Sequence, residues 1–260
     1  GILICGLMLA LFYGESTSQW KVLARLLPKR PSQNAVGILR NEGARRKVVL
    51  VAHYDSSKSG LSFHPSLVGS FRRSFLVSVA VMLLIAETLI IRYFGGGGPL
   101  LRFLWVAGLL YLLLPIIILV HREIFGQYVQ GASDNASGVA AMLATAERLM
   151  EHPPRNLEVW LVATGCEEVN LVGMEAFLQA RQYELDPATT YFINFDNLGA
   201  GSLRFVTAEG MLRTFPSSPE LVAIAGNITR QGQFAGVRPH VYKLATLDAL
   251  VASSRGYKTL

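Results

Sequence analysis

Four separated segments carry metal-type ligands, three of them shortly after an apolar run and one ahead of a helical pattern. Residues 48–52 lead into His53 and Asp55. Gly131-Ala-Ser-Asp134-Asn135-Ala-Ser-Gly138 sets a carboxylate ahead of a helical pattern. Residues 160–163 lead to Glu167-Glu168, and residues 192–195 lead to Asp196-Asn197. Taken singly, each is weak: a strand-end Asp is most often a cap or turn residue, and paired Glu residues suit a helix start. Taken together they offer the mixed nitrogen and oxygen donors that zinc accepts. Burying four or five carboxylates without a cation would cost many kcal/mol, so the set implies a metal. Two divalent ions about 3.5–4 Å apart need a bridging carboxylate, and Asp134 is the candidate. Glu167 and Glu168 are adjacent and project differently: one can ligate while the other faces the attacking water as a general base. Asp55 suits a partner that fixes the His53 tautomer.

The elements that must position these residues read as an alternating α/β chain once residues 70–125 are set aside. Short β-rich runs at 36–39 and 47–52 flank Asn41-Glu-Gly-Ala, which reads as a hairpin turn. Helical spacing follows over 138–150, stopped by Pro153-Pro154. Strands are expected at 157–163, 191–195, 203–207 and 241–244, and helices at 171–180 and from Pro219 to about Arg230. Open α/β sheets form their sites outside the carboxyl ends of strands, so four distant segments can share one crevice.

The composition adds a second component. Hydrophobic residues make up 51% of the 260 and charged residues only 16%, where soluble domains carry about 25%. The surplus is local. Residues 74–91 contain one charge, Glu87, and residues 103–120 contain none. Each run approaches the ~20 residues that cross a bilayer. Between them lie Arg92, Tyr93, Phe94, four glycines, Pro99 and Arg102, which read as a tight turn with interfacial aromatics. Residues 71–122 are therefore expected to be a transmembrane hairpin; the alternative is a buried helical pair in a soluble core. Residues 1–13 read as a possible remnant of another membrane helix, followed by Lys21, Arg25, Lys29 and Arg30. The basic bias leans weakly towards a cytoplasmic main domain in a multi-pass membrane protein. The net charge of +6 includes no long basic run, which argues against nucleic acid as a partner. Two cysteines, Cys5 and Cys166, make neither a disulfide framework nor a cysteine zinc cluster.

Ala52-His53-Tyr54-Asp55-Ser56, the Asp134 segment, Glu167-Glu168 with Gly173 following, and Asn194-Phe195-Asp196 together resemble the di-zinc aminopeptidase family. Its clan also holds glutamate carboxypeptidase and glutaminyl cyclase. The resemblance implies a phosphorylase/hydrolase-like three-layer α/β sandwich with an eight-stranded mixed sheet. It implies a split peptidase domain over residues 14–70 and 123–260, interrupted by the hairpin. It further implies two divalent ions, zinc by preference: His53 and Asp196 on one, Glu168 on the other, Asp134 bridging. Glu167 is then the general base and Asp55 the partner of His53. The family places Gly where this chain has Asn170, a change expected to be tolerated. The family's last ligand is a His after a region similar to Thr246-Leu-Asp248. No His follows Asp248 here, and His64, His121, His152 and His240 are in the wrong places, so the chain reads as a fragment with that ligand beyond Leu260.

The expected function is that of a membrane-anchored metallo-aminopeptidase. It would hydrolyse N-terminal peptide bonds through a water bridged by two metals, with a peptide substrate and a lipid bilayer as partners. The alternatives are a glutaminyl-cyclase-like acyltransferase and a catalytically silent membrane scaffold. Asn135-Ala-Ser fits the glycosylation pattern, but lies inside the ligand motif.

Overall fold

The computed structural model describes residues 1–28 and 30–260; of the basic residues named above, Lys29 lies outside the described residues. The chain divides into two compact units, Gly1–Leu27 with Lys58–Val129, and Pro28–Ser57 with Gln130–Leu260.

The first unit is helical. It contains α1 (Ile2–Ser16), α2 (Leu23–Leu26), α3 (Phe71–Tyr93) and α4 (Pro99–Phe125). Helices α3 and α4, 23 and 27 residues long, are antiparallel neighbours joined by the glycine turn, and α1 packs on α3 through the stacked rings of Phe12 and Phe75. Pro115 sits inside α4 without ending it. Both long helices have the length and apolar composition to cross a membrane, and only 11% and 6% of their most apolar windows are buried. The core helices of a soluble protein are mostly buried, and these two are mostly exposed. Leu100, Leu110 and Ile117 are each more than half exposed.

The second unit is built on β2 (Arg46–His53), whose apolar centre, residues 48–52, leads into His53 and whose last five residues are all buried. Such a strand needs cover on both faces and neighbours on both edges. It pairs in parallel with β3 (Leu157–Thr164) on one side and β4 (Thr190–Asn194) on the other. The antiparallel β1 (Ala35–Leu39) lies outside β3, and the short β8 (Lys258–Thr259) outside β4. The sheet order is β1-β3-β2-β4-β8. Alternation along β2 divides the core. Val49 and Val51 join Trp160, Val162 and Phe192 on one face, under α6 (Val172–Arg181) and α8 (Asp248–Ser253). Leu50 and Ala52 join Val159 and Met142 on the other, under α5 (Ser137–Glu151). This is a mixed sheet between two helical layers.

Two expectations need correction. The strands at 36–39 and 47–52 form, but they are not a hairpin: β3 lies between them. Asn41 Nδ2 donates to the carbonyls of Pro154, Arg155 and Leu157, so the turn after β1 is tied to the start of β3 rather than returning the chain beside β1. The eight strands also do not make one sheet. β5 (Arg204–Glu209), β6 (Phe215–Pro216) and β7 (Arg238–Tyr242) form a separate three-stranded sheet. The proline in β6, with another opening α7 (Pro219–Ile228), removes donors that a continuing ladder would need. The Ser218 N–H bond to the Thr259 carbonyl and the Lys258–Glu220 ion pair join this region to β8.

Candidate metal centre

The parallel register brings three of the four sequence segments together. His53 ends β2 opposite Thr164 of β3, and Val51 lies opposite Asn194 of β4. The chain then continues past the same sheet end to Glu167-Glu168 from β3 and to Asp196 from β4. Asp134 comes from the turn that opens α5, with a left-handed Gly131 before it. The Asp134–Asn135 peptide bond is cis.

His53, Asp134 and Asp196 converge. One ligand atom from each lies within 4.8 Å of the others. His53 Nε2 is 3.0 Å from Asp134 Oδ1 and 3.8 Å from Asp196 Oδ2. The other ring nitrogen, Nδ1, meets the Asp55 carbonyl oxygen at 3.1 Å and Asp55 Oδ1 at 3.6 Å. An Nδ1–H held there leaves Nε2 as the free donor, facing two carboxylates. One imidazole nitrogen and two carboxylate oxygens make a fitting partial donor set for zinc or a similar divalent ion.

Asp55 also organises the glutamate turn. Its Oδ1 accepts the Glu167 N–H at 3.1 Å and its Oδ2 accepts the Glu168 N–H at 3.2 Å. The carboxyl of Glu168 lies outside the three-residue cluster and hydrogen-bonds the Ser57 side chain. Past this turn Asn170 has φ +72° and Leu171 φ +57°. Left-handed backbone favours glycine and tolerates asparagine, which accounts for the residue types at position 170. Gly173 then passes so close to the Gly165 carbonyl that any Cβ would overlap it.

Electrostatics mark the site. Burial alone would lower the His53 pKa, but hydrogen bonds to Asp134, Asp196 and Asp55 outweigh it and hold the ring cationic without a metal. For Asp134 the His53 hydrogen bond is the largest influence, and its pKa falls below the usual carboxylate range. Burial opposes ionisation of Asp55, but His53 and the two main-chain donors bring its pKa down. Burial, reinforced by the Asp248 charge, pushes Glu167 up to about 9. Burial also raises Glu168.

Several members of this environment carry no signal in sequence that assigns them. Asn135, 1% exposed, donates from Nδ2 to the Phe195 carbonyl at 2.9 Å, and its Oδ1 accepts from Gly138 and Asn197 N–H. It ties the Asp134 turn to the Asp196 turn, and its burial removes it as a glycosylation site. Any Cβ on Gly138 would overlap Asn135 Oδ1 and the Phe195 carbonyl. Asp248 is buried, with Oδ2 accepting from Thr164 Oγ1 at 2.5 Å and Oδ1 lacking a partner; burial pushes it up to about 6. Glu209, also buried, accepts the Leu247 N–H at 3.0 Å and is pushed up to about 8. Burial and the charges of Asp196, Asp134 and Glu167 raise the Tyr242 phenol. Glu209 is a further strand-end carboxylate, the one available hint.

Comparison with known proteins gives a consistent picture. Residues 117–238 match Peptidase family M28, a span that includes Asp134, Glu167, Glu168 and Asp196 and begins after His53 and Asp55. An 80-residue stretch is 31% identical to the probable lipoprotein aminopeptidase LpqL of Mycobacterium tuberculosis, covering 31% of this chain and 16% of that protein. The fold resembles the glutaminyl cyclase of an Acidobacteriales bacterium, with a TM-score of 0.51 and 16% identity over 87% of this chain and 56% of that one. It also resembles the LapA aminopeptidase of Legionella pneumophila, with a TM-score of 0.50 and 11% identity over 87% and 43%. The chain thus spans between 16% and 56% of the lengths of these relatives.

Proposed function

We propose that this chain, whose residues 117–238 match Peptidase family M28, is the catalytic part of a membrane-anchored, zinc-dependent aminopeptidase. The observation that carries this reading is the convergence of His53 Nε2, Asp134 and Asp196 at one sheet end, with the high-pKa carboxyl of Glu167 beside it. In this reading His53, Asp134 and Asp196 would hold a zinc ion, and Glu168 would contribute to a second. Zinc so held polarises a carbonyl oxygen and makes water a stronger acid at neutral pH.

The chain's own residues supply the remaining chemistry. Asp55 keeps the imidazole turned so that Nε2 faces the carboxylates, and through its two main-chain bonds fixes where Glu167 and Glu168 start. Glu167 stands beside the donor set at the same sheet end, where, ionised by the bound cations, it would accept the proton of the attacking water and return it to the leaving amine. Helices α3 and α4, inserted in the sequence between His53 and Asp134, anchor the enzyme in a bilayer.

The test is hydrolysis of a panel of aminoacyl-anilides by the full-length chain, before and after chelation and after zinc is restored. Loss on chelation and recovery with zinc are expected. Hydrolysis that is indifferent to chelation would overturn the reading. The likeness to a glutaminyl cyclase supports a second reading, acyl transfer on the same scaffold. Cyclisation of N-terminal glutaminyl peptides without anilide hydrolysis would select it.

A further inference from the structure

An open groove of about 540 Å³ runs along the first turns of α3, lined by Gly69, Arg72, Arg73, Leu76, Val77 and Ala80. The three- and four-residue steps between these positions place them on one helical face. The two arginines stand at the start of that face and only small or aliphatic residues follow. We propose that this groove binds an anionic phospholipid, its headgroup phosphate held by Arg72 and Arg73 and its first acyl segments lying along Leu76, Val77 and Ala80. The inference rests on the reading of α3 and α4 as membrane spans.

Charge balance favours an anion at this groove. The helical unit carries eight Lys or Arg residues against three Glu. Those three are not at the groove. The Glu15 carboxylate accepts the N–H groups of Leu23 and Ala24, and Glu123 pairs with Lys58 at 2.9 Å. Glu87 lies on the same helix about 22 Å further along, at 1.5 Å per residue. Among the described residues neither Arg72 nor Arg73 has an ion pair, and the buried Arg72 Nε has no hydrogen-bond partner. Two cations also sit at the positive end of the helix dipole, where an anion is favoured and cations are not.

Position along α3 points the same way. The run of 18 residues with a single charge starts directly after Arg73. Arg72 and Arg73 therefore fall at the depth of lipid phosphates when α3 spans a bilayer, with Leu76, Val77 and Ala80 at the depth of the upper acyl chains. A free phosphate would satisfy the guanidinium groups but leave the apolar half of the groove without a partner.

The full-length chain is first floated with phosphatidylcholine vesicles, with and without phosphatidylglycerol. Failure to float with either sinks the membrane reading itself. The chain in detergent is then titrated with short-chain phosphatidylglycerol or phosphatidylcholine by native mass spectrometry. The wild type is expected to prefer phosphatidylglycerol by about tenfold or more. Arg72→Gln/Arg73→Gln is expected to lose that preference. Arg72→Lys/Arg73→Lys, which preserves charge and guards against misfolding as the cause, should retain most of it. Arg92→Gln/Arg102→Gln, at the other end of the hairpin, should leave it unchanged. Equal binding of the two lipids by wild type, a preference that survives in the Gln pair, or full displacement of lipid by millimolar inorganic phosphate would each overturn the proposal while leaving membrane insertion intact.

Discussion

Both carboxylate oxygens of Asp55 accept main-chain N–H groups from the Glu167-Glu168 turn, while its carbonyl faces His53 Nδ1. One residue thus orients a ligand, through its carbonyl at 3.1 Å and its carboxylate at 3.6 Å from His53 Nδ1, and positions the proposed base through both carboxylate oxygens. Asp55→Ala is expected to weaken zinc binding by about 10–100-fold, the usual cost of losing a group behind a ligating His. Competition against a chromophoric chelator measures it, and unchanged affinity would remove Asp55 from this role. At this scale His53 and Asp196 were legible because each follows an apolar run, and Asp134 because it sits just ahead of a helical pattern; all three carry a donor zinc accepts. Asn135 was not legible as a tie, because its partner Phe195 is 60 residues away and an amide fits any polar turn. Asp248 was readable only as part of a motif; its burial and its unpartnered oxygen depend on α8 closing over the sheet end.

The ends of β2, β3 and β4 set the spacing of the site, and Asn135 holds the α5 turn against the end of β4. Asn135→Ala removes the partners of the Gly138 and Asn197 N–H groups and of the Phe195 carbonyl. Leaving buried polar groups unsatisfied costs roughly 1–3 kcal/mol each. A destabilisation of at least about 2 kcal/mol in urea denaturation is expected, with zinc affinity falling as well. A stability within about 0.5 kcal/mol of wild type would show the tie to be dispensable. The strands themselves were legible from their apolar runs, since β2 and β3 are buried on both faces. The pairing of β1 was not. Asn41-Glu-Gly-Ala has hairpin chemistry, but the strand that β1 joins is chosen by long-range bonds from Asn41 to the segment before β3. The division into two sheets was equally hidden, because it follows from where Pro216 and Pro219 fall relative to the neighbouring ladder.

Across the whole molecule, the second unit concentrates acid and the first concentrates apolar surface. With metal chelated, Glu167 titrates near 9, Glu209 near 8 and Asp248 near 6. A carboxyl raised by folding keeps a proton that the unfolded chain releases, so stability falls as pH climbs from the ordinary carboxylate range through these values. His53 acts in the same direction: its raised pKa gives stability present below about 6.5 and lost as pH rises. Asp55 and Asp134, both lowered, give stability present above about 4 and lost as pH falls. The chelated protein should therefore show its highest Tm near pH 5, and saturating zinc should move that maximum upward by favouring the ionised ligands. A chelated protein most stable at pH 8 would contradict the burial of these carboxyls. The two long helices were legible because residues 74–91 and 103–120 are apolar runs carrying a single charge in all. The groove beside Arg72 was not, because it exists only once the helix places those residues on one face. The proposed role of Glu167 is to move the proton beside a metal held by His53, Asp134 and Asp196. Its most direct test sets zinc content and aminoacyl-anilide turnover of wild type and Glu167→Gln side by side in the full-length protein. Zinc content should be unchanged and turnover should fall by about 10²–10⁴-fold; a Glu167→Gln variant that holds zinc and still turns over at the wild-type rate would contradict it.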